Sequence, residues 1–136
     1  MVTARGLVLV VDDSPQIREL IRVNLELEGY RVVTAEDGSA ALARIRDLRP
    51  DVMTIDVRMP GKEGFEVVEA VRADPEIATL GVVMVTACAQ EVDRRRAEQV
   101  GVDVYISKPF EPEHLIAEVG RVAVAARARR AREESR

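Results

Sequence analysis

At 136 residues and 47% apolar side chains, the chain can bury one core as one domain without disulfides or a structural metal. A net charge of −4, 3% aromatic residues and no Trp argue against a protein built to coat or stack on nucleic acid. The lone cysteine, Cys88, excludes an internal disulfide framework, and the first apolar run is too short for a signal segment or a membrane span, so a reducing cytoplasm is the expected compartment.

The chain opens with the apolar run Leu7 to Val11, short and β-branched enough for a strand, and then meets two adjacent carboxylates, Asp12 and Asp13. Ser14 reads as an N-cap with Pro15 at the first helical position, and Ile17, Leu20, Ile21 and Leu25 recur at helical spacing up to Gly29. A second strand is expected over Arg31 to Thr34, and a helix from about Asp37 that buries Leu42, Ile45 and Leu48 before Pro50. A third strand over Val52 to Ile55 ends at Asp56, and a helix from Gly64 offers Phe65, Val68 and Val71 before Asp74 and Pro75. The fourth strand, Val82 to Val85, precedes a helix from about Gln90 to Val100 whose only apolar anchors are Val92, Ala97 and Val100. It should be the least firmly docked helix. The last strand, Val104 to Ile106, is followed by a helix that opens at Pro112 and runs through Leu115, Ile116, Val119 and Val122.

Strand and helix thus alternate five times, and strands apolar throughout are covered on both faces, which predicts a parallel sheet between helices, an α/β three-layer sandwich. Ligands in such sheets sit beyond the carboxyl ends of the strands. Those ends carry Asp12 and Asp13, Asp56, Thr86, and Ser107 with Lys108. Any one alone reads as a helix cap or a surface charge; together they place three carboxylates, hydroxyls and an ammonium on one rim. Clustered carboxylates repel, and a hard divalent cation with oxygen ligands, Mg²⁺ above all, relieves them. Such a site suits phosphoryl chemistry: an aspartate attacks phosphorus to give an acyl phosphate, while the metal, Lys108 and Thr86 meet the transferring oxygens.

The motifs "VVDDS", "IDVRMPGKEG", "VMVTA" and "YISKPF", in this order and spacing, resemble the receiver domain of bacterial two-component response regulators over roughly residues 6 to 122. That resemblance implies a flavodoxin-like sheet of order 2-1-3-4-5 with five helices. It also implies Asp56 as the phosphoacceptor for a sensor histidine kinase or phosphotransfer protein. Asp13 and Asp56 would ligate Mg²⁺ directly, Asp12 through water, and the backbone carbonyl of Arg58 would complete the set. Thr86 and Lys108 fall on phosphate-contacting positions. For the switch it implies that Thr86 moves toward the phosphate while Tyr105 turns inward, remodelling the face of helix four, strand five and helix five. A homodimer through that face is expected, with sedimentation as its check. Arg94, Arg95 and Arg96 lie there, as partner-binding or merely solvated charges.

Arg58 and Cys88 stand two residues beyond Asp56 and Thr86, where relatives vary. Bulky Arg58 is expected to slow or reshape hydrolysis of the acyl phosphate, which the decay of an Arg58→Ala adduct would check; Cys88 reads as an apolar filler. Gly81 stands where many relatives have proline. His114 reads as solvent-facing. Residues 121 to 136 carry six Arg against two Glu, net +4, so with −4 overall the first 120 residues carry −8. The domain is accordingly drawn at 1–122, with 123–136 as a basic helical extension or a linker. Nucleic-acid contact by such a tail alone would be salt-sensitive and non-specific.

Two other functions stand beside the switch. A small aspartate-nucleophile phosphatase needs a second acid two residues after the nucleophile, where Arg58 stands; a receiver-like interaction module would signal without phosphorylation. The expectation is a phosphorylatable switch, not an enzyme with a separate substrate, that acts on a downstream partner or an output domain outside these residues.

Overall fold

The computed structural model describes residues 5–59, 61–87 and 90–135. Five strands, β1 (Leu7–Val11), β2 (Arg31–Ala35), β3 (Val52–Ile55), β4 (Gly81–Thr86) and β5 (Val104–Ser107), alternate with five helices. These are α1 (Pro15–Leu27), α2 (Gly38–Leu48), α3 (Gly64–Ala73), α4 (Glu91–Val100) and α5 (Pro112–Glu134). All strand pairs are parallel and the sheet order is β2-β1-β3-β4-β5. The β1, β3 and β4 positions are almost wholly buried, as strands sandwiched between helices must be.

Two cores fill the sandwich. On one face Leu42 and Ile45 of α2, Phe65, Val68 and Val71 of α3 and Ala97 of α4 pack on Leu9, Val11, Met53, Ile55 and Met84. On the other, Ile21 and Leu25 of α1 and Leu115, Val119 and Val122 of α5 cover Val8, Val10, Val83, Val85 and Ile106. Local signals set the helix ends. Ser14 Oγ accepts from the Ile17 N–H at 3.3 Å and Asp37 Oδ1 from the Ala40 N–H at 2.8 Å, each satisfying a donor that the first turn leaves open.

Three apolar residues expected to anchor helices do not. Leu20 is 44% exposed, Leu48 41% and Val92 66%. With about 100° per residue, Leu20 lies roughly 140° around α1 from Leu25, and Val92 the same angle around α4 from Ala97. Apolar identity was right for the helical pattern and wrong for the face. Leu48 ends α2, where the helix breaks at Arg49 in the left-handed conformation, φ 50°.

Helix α5 crosses position 122 without interruption, and Ala123 and Ala126 are buried beyond it. Gly81 shows what that continuation requires: a Cβ there would come within 2.5 Å of Val122 and 3.3 Å of Ala126. Among the described residues no helix is long and apolar enough to cross a membrane.

Candidate functional site

The parallel ladders run one residue past β1, β3 and β5 and so fix the backbones of the site. The Asp12 N–H donates to Ala35 O (3.3 Å), that of Asp56 to Val11 O (3.3 Å) and that of Lys108 to Thr86 O (2.8 Å). The side chains at those ladder ends meet. Lys108 Nζ donates to Asp12 Oδ2 at 2.8 Å and to Asp56 Oδ2 at 2.9 Å, closing a bridge between β1, β3 and β5. The second oxygens are held locally: Asp12 Oδ1 accepts from the Ser14 N–H (2.9 Å) and Asp56 Oδ1 from the Val57 N–H (2.6 Å). Asp12 is 2% exposed and Asp56 9%, while Asp13 faces solvent.

Burial favours the neutral form of Lys108, but hydrogen bonds and attraction from Asp12 and Asp56 outweigh it and hold the ammonium above its ordinary 10.5. One cation does not balance the cluster. Asp12, Asp13 and Asp56 each bring a carboxylate oxygen within 4.8 Å of the others, so with all three ionised and Lys108 charged the rim keeps a net charge of two minus. Oxygen donors gathered at that spacing around that residual charge fit a hard divalent cation.

The other expected residues border this cluster. Thr86, 1% exposed, ends β4 in register with Ser107, so both belong to the strands instead of following them. Tyr105 is half-buried two register steps earlier, opposite Met84. Arg58 is exposed just past Asp56, His114 is exposed on α5, and Cys88 lies outside the described residues.

Three supports were not foreseen. Arg18 Nη1 donates to Asp12 O at 2.7 Å, tying α1 to the loop that carries the acids. Gly64 lies against the Asp56 backbone, where a Cβ would fall 2.1 Å from the Asp56 carbonyl oxygen, and its N–H donates to Val57 O at 2.8 Å. A glycine opening a helix, where stronger helix formers are favoured, is the sequence signal of such a close approach. Arg94 of α4 lies over the Tyr105 ring and donates to Ser107 Oγ at 3.1 Å; no spacing rule links residues 94 and 105.

The model of the response regulator receiver domain family matches residues 8–120. The DNA-binding response regulator MtrA of Mycolicibacterium smegmatis is 40% identical over 119 residues, 88% of this chain and 51% of that protein. The phosphate regulon transcriptional regulatory protein PhoB of Pseudomonas aeruginosa is 38% identical over 110 residues, 81% of this chain and 48% of that protein. The chain thus spans about half the length of these curated relatives. Among solved structures, the chemotaxis response regulator CheY4 of Vibrio cholerae superposes with a TM-score of 0.82 at 38% identity, covering 88% of this chain and 99% of that one.

Proposed function

Because this chain belongs to the response regulator receiver domain family, we propose that Asp56 is its phosphoacceptor and that the rim around it is a phosphorylation-driven switch. The observation that carries the reading is the Lys108 ammonium bridging Asp12 and Asp56 beside Asp13. The fixed Asp56 Oδ1, held by the Val57 N–H, leaves Oδ2 toward Lys108 as the oxygen that attacks phosphorus. The new bond is O–P; the bond that breaks is P–N of a phosphohistidine on a sensor histidine kinase or phosphotransfer protein, and the imidazole leaves with the electron pair. Lys108 then shifts from carboxylate to phosphoryl oxygen, and Thr86 supplies a hydroxyl to another. Mg²⁺ would be held by Asp13 and Asp56, by Asp12 through water and by the Arg58 carbonyl, and would neutralise charge on the transferring oxygens.

Accepting and slowly hydrolysing this phosphoryl group is the only chemistry proposed; the output is conformational. Thr86 moving toward the phosphate and Tyr105 turning inward would remodel the α4, β5 and α5 face. That face carries exposed Val92 and Arg95 and is the surface proposed for a homodimer, which sedimentation of the phosphorylated chain would read. MtrA is named as DNA-binding and PhoB as a transcriptional regulator, each about twice the length matched here. For this chain the readout is proposed to lie in a downstream partner or an output domain.

The test is intact mass after incubation with Mg²⁺ and a small acyl-phosphate donor. A single phosphoryl adduct is expected, absent from Asp56→Asn and from a metal-free control. An adduct that persists in Asp56→Asn, or none in the folded wild type with Mg²⁺, would sink the proposal.

A further inference from the structure

Two arginines of different character hold the two ends of α4. At the C-terminal end, Arg72 of α3 donates to the Gly101 carbonyl from Nε (3.0 Å) and Nη2 (2.8 Å). It also donates to Ala78 O (2.7 Å) and Leu80 O (2.6 Å) and pairs with Asp103 (3.2 Å). That end is pinned to α3 and to the segment before β4. Among the described residues the N-terminal half shows no comparable fixture: Gln90 gives no side-chain cap, and Ala97 is the only buried residue of the helix. What ties this half to the sheet is Arg94, its guanidinium 4.9 Å from the Tyr105 ring centroid and Nη2 donating to Ser107 Oγ at 3.1 Å.

The neighbouring arginines make different contacts. Arg95 pairs with Glu91 on its own helix (3.4 Å), while Arg96 lies over the Phe65 ring (4.6 Å) and pairs with Glu69 of α3 (3.7 Å). Both contacts of Arg94 fall on β5, and the residue after Ser107 is Lys108, whose Nζ bridges Asp12 and Asp56. We infer that Arg94 is a positioning residue that latches the N-terminal half of α4 onto β5 in the packing where Lys108 holds Asp12 and Asp56, and so opposes the switch. The inference rests on the reading of Asp56 as acceptor.

The physical argument is one of two packings. A phosphoryl group on Asp56 draws Lys108 off its present carboxylates, and the end of β5 and the Tyr105 ring shift with it. Contacts made with the present positions of Tyr105 and Ser107 favour the present packing, so their loss raises the competent fraction and tightens the apparent affinity for a phosphoryl mimic by the same factor. An exposed cation–π contact with one hydrogen bond corresponds to a bias of about two- to fivefold.

The experiment is calorimetric titration of the full chain with beryllium fluoride in Mg²⁺, comparing wild type, Arg94→Ala, Arg95→Ala and Asp56→Asn. Arg94→Ala is expected to bind about two- to fivefold more tightly than wild type, and Arg95→Ala with wild-type affinity. A merely structural arginine would lower the thermal midpoint without tightening binding. Unchanged or weaker binding by Arg94→Ala, or equal tightening in Arg95→Ala, overturns the latch while leaving the acceptor reading intact. A silent wild type, indistinguishable from Asp56→Asn, overturns both.

Discussion

Thr54 carries a polar atom that the site does not use. It lies on β3 two residues before Asp56, in register between Val10 and Val83, and is 1% exposed. Its hydroxyl has no hydrogen-bond partner among the described residues, and a buried hydroxyl left unsatisfied costs about 1–3 kcal/mol. Thr54→Val keeps the β-branched shape and removes that cost, so urea unfolding should show unchanged stability or a gain of up to about 1 kcal/mol. A loss larger than that would mean the hydroxyl is hydrogen-bonded after all. Single residues were legible in the sequence where a positional rule applied. Asp12, Asp56 and Lys108 were found because strand ends of a parallel sheet converge on one rim. Thr54 was not, because a threonine inside an apolar run carries no sign of whether its hydroxyl is paired.

At the scale of the helix, firmness follows from how many side chains reach the core. Helix α3 buries Phe65, Val67, Val68 and Val71, whereas α4 buries Ala97 alone. At about 1.5–3 kcal/mol for each large apolar side chain buried, that difference dominates what capping or an exposed ion pair such as Arg95 with Glu91 can add. Hydrogen exchange should therefore show the amides of Asp93 to Ala97 opening far more readily than those of Val68 to Ala73, with the Gly101 end, held by Arg72, slower than the start of the helix. Protection of α4 equal to that of α3 would refute this. The sparse anchoring was legible from the sequence, since only three apolar residues occupied ten positions. The assignment of Val92 to the core was not correct: with so few apolar residues the pattern does not determine a face, and Ala97 with half-buried Val100 sets it in the fold.

Across the whole molecule, aspartates lie at both ends of the strands, and their cation partners decide what each end does. At the carboxyl ends, Lys108 bridges Asp12 and Asp56 beside Asp13, one cation against three carboxylates, which leaves an excess of negative charge. At the amino ends, Asp51 before β3 pairs with Arg127 (3.4 Å) and Arg130 (3.2 Å), and Asp103 before β5 with Arg72 (3.2 Å) and Arg129 (2.9 Å). The composition change near residue 122 was visible in the sequence; the destination of its arginines was not, because their partners stand far back along the chain. Gly6, at φ 139°, records the closeness of the approach, since a Cβ there would lie 2.2 Å from Arg127 Nη2 and 2.6 Å from Asp51 Oδ2. Burial raises the Asp51 pKa, but the Leu7 N–H, Arg127 and Arg130 outweigh it and leave the carboxyl below its ordinary 3.8. A depressed carboxylate contributes stability that is fully present above its unfolded value and is lost as pH falls through the folded one. Asp51→Asn should thus be less stable than wild type at neutral pH, and the two unfolding curves should converge as pH drops below about 4. Equal stability at pH 7, or a gap that persists in acid, would show that the basic end of α5 rests on the sheet without being held by Asp51.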